Sequence, residues 1–234
     1  MQITIFSFLS ALLWSSLLIV ALYRFLRTQG VGTNAVLDAV HQGRELPILL
    51  IPAIFLATLL THLAGGSAGR EGAALQIGGD LGKHFGKMLR MDDKDCRLAT
   101  LCGMSALFSA LFGTPLASSV FAMEVVSVGV MYYAALLPCV LASVIAQRFS
   151  IFLGGEATAF SVSGIPQEAD ALLITKLLLF GVACAGLAAL VCIVFHNVGH
   201  LFKKWFPNRY VCIAVGGAAV VVLTLLLGTR DYNG

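Results

Sequence analysis

Charge is what this sequence has least of. Only 12% of its 234 residues are Asp, Glu, Lys or Arg, against about 25% in ordinary soluble domains. With 59% hydrophobic residues and a mean hydropathy of +0.91, a water-soluble fold would expose apolar area it could not cover. A lipid bilayer is therefore the expected solvent. No basic stripe is present, and the net charge is only +3, so a nucleic-acid partner is excluded. The six cysteines (Cys96, Cys102, Cys139, Cys184, Cys192, Cys212) contain no CxxC pair. Most lie in apolar runs, so neither a disulfide framework nor a metal site is expected. There is no HExxH, and the Gly-rich stretch 65–72 lacks the Gly-Lys-Ser/Thr of a phosphate-binding loop. Soluble domains and low-complexity tracts are missing too. No cofactor and no enzymatic activity are expected.

What is there is a series of apolar runs of uneven length. The first, Ile3–Leu26, has no charged region before it and no small-residue cleavage site after it. Arg24 and Arg27 end it, which reads as a retained helix running from outside to inside. A polar break at 28–34 precedes the short segment Ala35–His41. A second long run, Leu46–Leu63, ends in Ala64-Gly65-Gly66-Ser67-Ala68-Gly69-Arg70-Glu71-Gly72. Residues 73–90 are rich in small residues, and the spacings Gly78-xxx-Gly82 and Gly82-xxx-Gly86 let neighbouring helices approach closely. The charged stretch Arg90–Arg97 reads as an aqueous loop. Leu98–Phe112 and Leu116–Val130, split by Gly113-Thr114-Pro115, are short for full spans and suggest tilted or half-crossing helices. Met131–Leu153 can cross fully, and Tyr132 and Tyr133 suit an interfacial aromatic belt. A polar loop leads to the long run Ala171–His196, a basic loop with Lys203 and Lys204, and a last run, Val211–Leu227. The pattern predicts an all-α, polytopic membrane protein with broken and tilted helices.

Broken helices in a membrane point to chemistry. Non-helical backbone at membrane depth survives only where it is buried in protein or lines a cavity. A helix starting at such a break aims unpaired N–H groups and the positive end of its dipole into that cavity. Several such ends together would hold an anion without a full positive charge. Three candidate starts are present: Gly32-Thr33-Asn34 before Ala35, Gly69-Arg70-Glu71-Gly72 before Ala73, and Gly113-Thr114-Pro115 before Leu116. Proline in a first turn lacks only an N–H that would have been orphaned anyway.

Glu71 is the sharpest single residue. A carboxylate at a helix N-terminus mimics the anion that belongs there; it can occupy and block the site, and protonation would release it. The plainer reading pairs Glu71 with Arg70 at a membrane–water boundary, and spacing alone leaves the two level. Glu124 ends its apolar run and either faces an aqueous vestibule or is simply solvated. His196 and His200 share a helical face but have no third metal ligand, so an interfacial pair is the better reading. His62 and His84 are read as hydrogen-bonded helix residues.

At these residues the sequence resembles the CLC family of chloride channels and anion–proton antiporters. Gly69-Arg70-Glu71-Gly72-Ala73 is similar to the family motif GREGP, with alanine for proline. Phe112-Gly113-Thr114-Pro115-Leu116-Ala117, continuing to Phe121 and Glu124, resembles its F-N-A-P-L-A-G…F…E-E stretch. Gly32-Thr33-Asn34-Ala35-Val36 lies where its GSGIP motif falls. The resemblance implies that Glu71 is the external gating glutamate and that Thr33, Asn34, Arg70, Glu71 and Gly72 line the anion path. It also implies two inverted repeats, usually assembled as homodimers in the cell membrane, that move chloride and protons.

Three departures accompany it. Thr33 replaces the chloride-coordinating serine, and Gly-Thr-Asn is nearer the Gly-Asn-Asn of the family's fluoride-exporting branch. The second member of the acidic pair, the internal proton-transfer glutamate of many antiporters, falls on Val125; Glu124 matches the first. By this alignment residues 1–155 are most of the first repeat, 156–170 a loop, and 171–234 the start of the second. The later GxFxP motif and the pore tyrosine have no counterpart, so the 234 residues by themselves are expected not to conduct. The expected function is chloride transport of CLC type. The alternatives are a fluoride exporter of the same family and a non-transporting membrane fragment. An intramembrane enzyme would need a nucleophile–base pair or a metal, and the sequence offers neither.

Overall fold

The computed structural model describes residues 2–28, 31–42, 45–66, 69–126, 129, 132–156, 170–206 and 208–227; of residues 2–13 and a few in the last two helices it describes the backbone alone. Among the described residues the chain forms nine helices and no strand: α1 (Gln2–Phe25), α2 (Thr33–Gln42), α3 (Leu50–Leu63), α4 (Glu71–Met88), α5 (Asp93–Phe112), α6 (Pro115–Val126), α7 (Tyr133–Phe152), α8 (Ala171–Trp205) and α9 (Arg209–Leu227). Three of them, α5, α7 and most of α8, are long and apolar enough to cross a membrane. The chain divides into two compact units, one holding α1–α7 and the other α8 and α9.

In the first unit α5 is the central helix, packed against α4, α6 and α7. α3 lies on α4, α1 lies on α3, and the short α2 touches α4, α5 and α6. The core is drawn from all of these central elements, with Val36, Leu75, Leu101, Met104, Ala122 and Cys139 buried together. Glycine sets the α4–α5 spacing. A Cβ on Gly78 would lie 2.9 Å from the Gly103 carbonyl carbon, and one on Gly82 would lie 2.9 Å from that of Ala99. The two backbones therefore touch, the close approach that the small-residue spacing led one to expect, and the pairing of 78 with 103 and 82 with 99 makes the helices antiparallel.

Hydroxyls join α5, α6 and α7. The buried Ser105, Ser119 and Ser143 hydroxyls meet in one cluster, with Ser119 Oγ 2.9 Å from Ser143 Oγ. Ser105 also reaches the Cys139 carbonyl at 3.2 Å, and Ser109 donates to the Ser143 carbonyl at 3.0 Å. Where lipid offers no hydrogen bonds, such contacts satisfy polar groups that would otherwise be costly.

Four expectations are corrected by the helix ends. The charged stretch is not a loop through Arg97; α5 begins at Asp93 because the Asp92 carboxylate caps it, accepting from the Asp95 N–H at 2.8 Å. Asp93 and Asp95 then sit in the first turn, where the helix dipole favours negative charge. With that turn included α5 has 20 residues, a length of about 30 Å, so it is long enough for a full crossing and not short as the run Leu98–Phe112 suggested. Helix α4 starts at Glu71 itself, not after Gly72. Lys203 and Lys204 lie within α8, which runs on to Trp205. The chain breaks there at Phe206 (φ −125°, ψ 77°), because the residue before Pro207 is pushed out of the helical region. The short α6, 12 residues long, does match the half-crossing expectation.

In the second unit, residues 177–195 of α8 are apolar all round and exposed. Such a surface is stable only in lipid or against other apolar helices.

Candidate functional site

The local sequence explains each helix start. Helix α3 ends at Gly65, whose φ of +73° is the left-handed stop that glycine adopts without strain. After the connecting residues the chain turns at Gly69 and Arg70 into α4. No side chain caps α4 at Arg70, so its first-turn N–H groups are left for other acceptors. Gly113 (φ +69°) ends α5 in the same left-handed way. Pro115 opens α6 two residues on, and its fixed φ suits a first helical position. Gln147 of α7 donates to the Gly113 carbonyl at 2.9 Å and holds this stop–start turn in place.

Two of the three sequence-marked starts come together. Gln76, in the second turn of α4, donates its amide to the Thr33 hydroxyl at 2.7 Å. A Cβ on Gly72 would sit 3.4 Å from the same hydroxyl oxygen. Thr33 at the head of α2 is thus held against Gly72 at the head of α4. Further along, Val36 packs on Gly79, so α2 and α4 run side by side in the same direction. Because α5 is antiparallel to α4 and α6 folds back from its end, the N-terminus of α6 lies at the same end of the bundle. The Gly113–Pro115 turn is fixed by α7 rather than by Thr33 or Gly72.

Glu71 and Arg70 are exposed at the head of α4, as is Asn34 in the first turn of α2. Among the described residues neither Glu71 nor Arg70 makes an ion pair. The Glu71 side chain instead turns back over Gly69: a Cβ at Gly69 would collide with its Oε2. Glycine at 69 is what lets the carboxylate lie there. Glu124, half-buried near the end of α6, accepts a hydrogen bond from the Gly129 N–H at 3.1 Å. Val125 and Val126 beside it pack on the apolar core. His62 and His84 each bond through Nδ1 to the carbonyl four residues back, at 2.7 and 2.9 Å. His196 and His200 lie on the exposed α8.

The structure adds residues that the motifs did not mark. Gln76, Asp80, Lys83 and Lys87 follow Gly72 along α4 at spacings of four, four, three and four, which places all five on one helical stripe. Asp80 is fully buried and Lys83 almost so. Lys87, at the far end, forms a close ion pair with Glu45. Its ammonium holds the Glu45 carboxyl below the usual carboxylate range. The available signal was the polar period within a Gly-rich helix.

Residues 13–232 match the family model described as voltage gated chloride channel. The chain belongs to the CLC family. A chloride/fluoride channel protein of Pseudomonas syringae pv. tomato is 30% identical over 202 residues, 86% of this chain and 44% of that protein. An H(+)/Cl(-) exchange transporter ClcA of Salmonella arizonae is 38% identical over 76 residues, 32% of this chain and 16% of that protein. Among solved structures, the crystal structure of a CLC-type fluoride/proton antiporter superposes with a TM-score of 0.81 at 31% identity, covering 97% of this chain and 62% of that one. The chain thus has the all-α polytopic CLC fold, and it spans less than half the length of the curated relatives it matches. The Pseudomonas and Salmonella relatives bear the names of a channel and a transporter.

Proposed function

We propose that this chain supplies part of the anion path of a CLC-type chloride channel or anion–proton antiporter in the cell membrane, with Glu71 as its gate. The observation that carries this reading is the Thr33 hydroxyl held against Gly72, where two helix N-termini converge beside a carboxylate. Thr33, Asn34, Arg70, Glu71 and Gly72 would line the path, and Gly113-Thr114-Pro115 would begin a third helix aimed from the same end. An anion arriving there meets N–H groups and dipole ends rather than a fixed cation, so it can leave as readily as it binds. The Glu71 carboxylate competes for the same donors until a proton neutralises it. Residues 1–155 are assigned to a first repeat, 156–170 to a loop and 171–234 to the beginning of a second, in a protein that pairs as a homodimer.

Liposomes loaded with chloride and carrying the chain completed by the second repeat of a CLC transporter test the gate. Glu71→Gln should make efflux insensitive to external pH, whereas efflux that keeps its wild-type pH dependence would remove Glu71 from the role. Fluoride is the second reading, favoured by threonine at position 33 and by the names of the Pseudomonas relative and of the superposed antiporter. Thr33→Ser should then shift the flux ratio towards chloride. An unchanged ratio would count against any selectivity role for this hydroxyl.

A further inference from the structure

A buried carboxylate with no well-formed hydrogen bond among the described residues stands out in the bundle. Asp80 is 0% exposed, and among the described residues neither of its side-chain oxygens has a hydrogen-bond partner of good geometry. An unsatisfied buried charge costs several kcal/mol, and ionisable groups inside membrane bundles are retained chiefly where ions or protons move. Its nearest ionisable neighbour is His84, whose Nδ1 lies 2.9 Å from Asp80 Oδ1 and 2.9 Å from the Asp80 carbonyl oxygen. Both of those oxygens are acceptors, so Nδ1 carries the proton. The His84 side chain is 27% exposed. Lys83, the other neighbour on α4, lines a cavity of about 320 Å³ with Glu45, Lys87, Asp93 and Arg97. Charged and titratable groups therefore face the Asp80–Lys83–His84 cluster from three sides. They are Lys83, His84 and Lys87 on α4, Glu45 on the α2–α3 connection, and Asp93, Cys96 and Arg97 on α5.

We infer that Asp80, supplied by His84, is the internal proton carrier of this protein; this rests on the transport reading above. The step is a proton transfer with no change of oxidation state. A proton from the aqueous side, carried as hydronium, binds His84 Nε2 and leaves water behind; Nδ1 passes its own to Asp80 Oδ1, so the imidazole ends as the neutral Nε2–H tautomer and the carboxylate as a neutral acid. Asp80 lies nine residues along α4 from Glu71, about 14 Å at 1.5 Å per residue. Nine residues at 3.6 per turn make about two and a half turns, so Asp80 sits on the face of α4 opposite Glu71, with the Gln76–Thr33 pair between them in height along the helix. Position 125, where a carboxylate could otherwise serve, is a partly buried valine packed against the core. Asp80 and the cavity lie on the opposite side of the Thr33–Gly72 contact from Glu71, so a proton held there approaches the gate from the other end of the helix.

The test records anion efflux and proton uptake together in liposomes carrying the chain completed by the second repeat of a CLC transporter, the wild type of this comparison. Asp80→Asn keeps the shape and removes the titratable oxygen. Proton movement should fall about a hundredfold, the scale of a lost proton-transfer group, while anion flux stays near wild type. His84→Gln, which leaves Asp80 in place, should slow proton movement less. A purely structural role predicts instead that both fluxes fall together. Proton movement unchanged in Asp80→Asn overturns the inference, as does anion flux without proton coupling in the wild type. Absence of all anion flux in the wild type sinks the transport reading and the relay with it. Infrared spectroscopy separates these cases. A protonated-carboxyl band that titrates in the wild type and vanishes in Asp80→Asn would show the proton on this group independently of flux, and a band indifferent to the substitution would overturn the assignment.

Discussion

A methyl group added at Gly82 probes how rigidly the helix bearing Glu71 is held. A Cβ there would press on the Ala99 carbonyl oxygen, at 2.9 Å from its carbon and 3.1 Å from the Thr100 Cα. Carbon atoms settle at about 3.5–4.0 Å. The obstacle is backbone on the facing helix, so α4 and α5 must part by roughly half an ångström or more. Overpacking of this kind costs about 1–3 kcal/mol, with rigid backbone at the upper end. Replacing glycine by alanine inside a helix returns about 1 kcal/mol. The net expectation for Gly82→Ala is a loss of about 2 kcal/mol. Gly86 on the same helix is the internal control. Its Cβ would meet the Cys96 Sγ at 3.2 Å and the Ala99 Cβ at 3.4 Å, and a thiol can rotate aside. Gly86→Ala should therefore be neutral or slightly stabilising. Unfolding of the purified protein in mixed micelles, followed by circular dichroism against SDS fraction, reads both. Equal stability of the two variants would refute the claim that α4 and α5 touch through their backbones.

Three further outcomes follow from the same geometry. Gly69→Ala places a Cβ where the Glu71 carboxylate lies, so the side chain must swing away, and the pH at which efflux is half-maximal should move without loss of folding. Ser143→Ala strips a shared partner from Ser105 and Ser119 in the buried hydroxyl cluster and should cost about 1–3 kcal/mol in the same unfolding assay. The Lys87–Glu45 pair lowers the Glu45 carboxyl pKa. Its stabilisation is present above the unfolded value of about 4.3 and fades as pH falls through the lower folded value. Because the pair is exposed and screened, Lys87→Gln should cost under about 1 kcal/mol at pH 7 and nothing near pH 2. A cost independent of pH would mean that lysine contributes through its stem instead.

How much was legible in the residues depends on whether the signal was local. Gly113-Thr114-Pro115 shows both its stop and its start, since a left-handed glycine and a first-turn proline are properties of single residues. The start of α5 was misread because a dense charge run suggests solvent. Yet Asp92, Asp93 and Asp95 are also good residues for a cap and first turn, and the chain used them so. The extension of α8 was missed because Lys203 and Lys204 looked like a loop, although nothing before Pro207 forbids a helix.

Composition and pattern by themselves determined that the chain lives in a bilayer, that its helices break at glycine, and that Glu71 sits at a helix head. Each follows from the cost of exposing apolar or unpaired backbone groups, which is the same wherever the segment lies. Only the tertiary structure decided that Thr33 meets Gly72, because they lie 39 positions apart in the chain and no local preference spans that gap. It likewise decided that Asp80 is buried, since whether a polar helix face meets water or protein depends on what packs against it. Glu71 drew attention as an isolated carboxylate. The fold placed it beside Gly72, the head of a polar stripe whose other end, through Asp80 and Lys83, reaches a charged cavity.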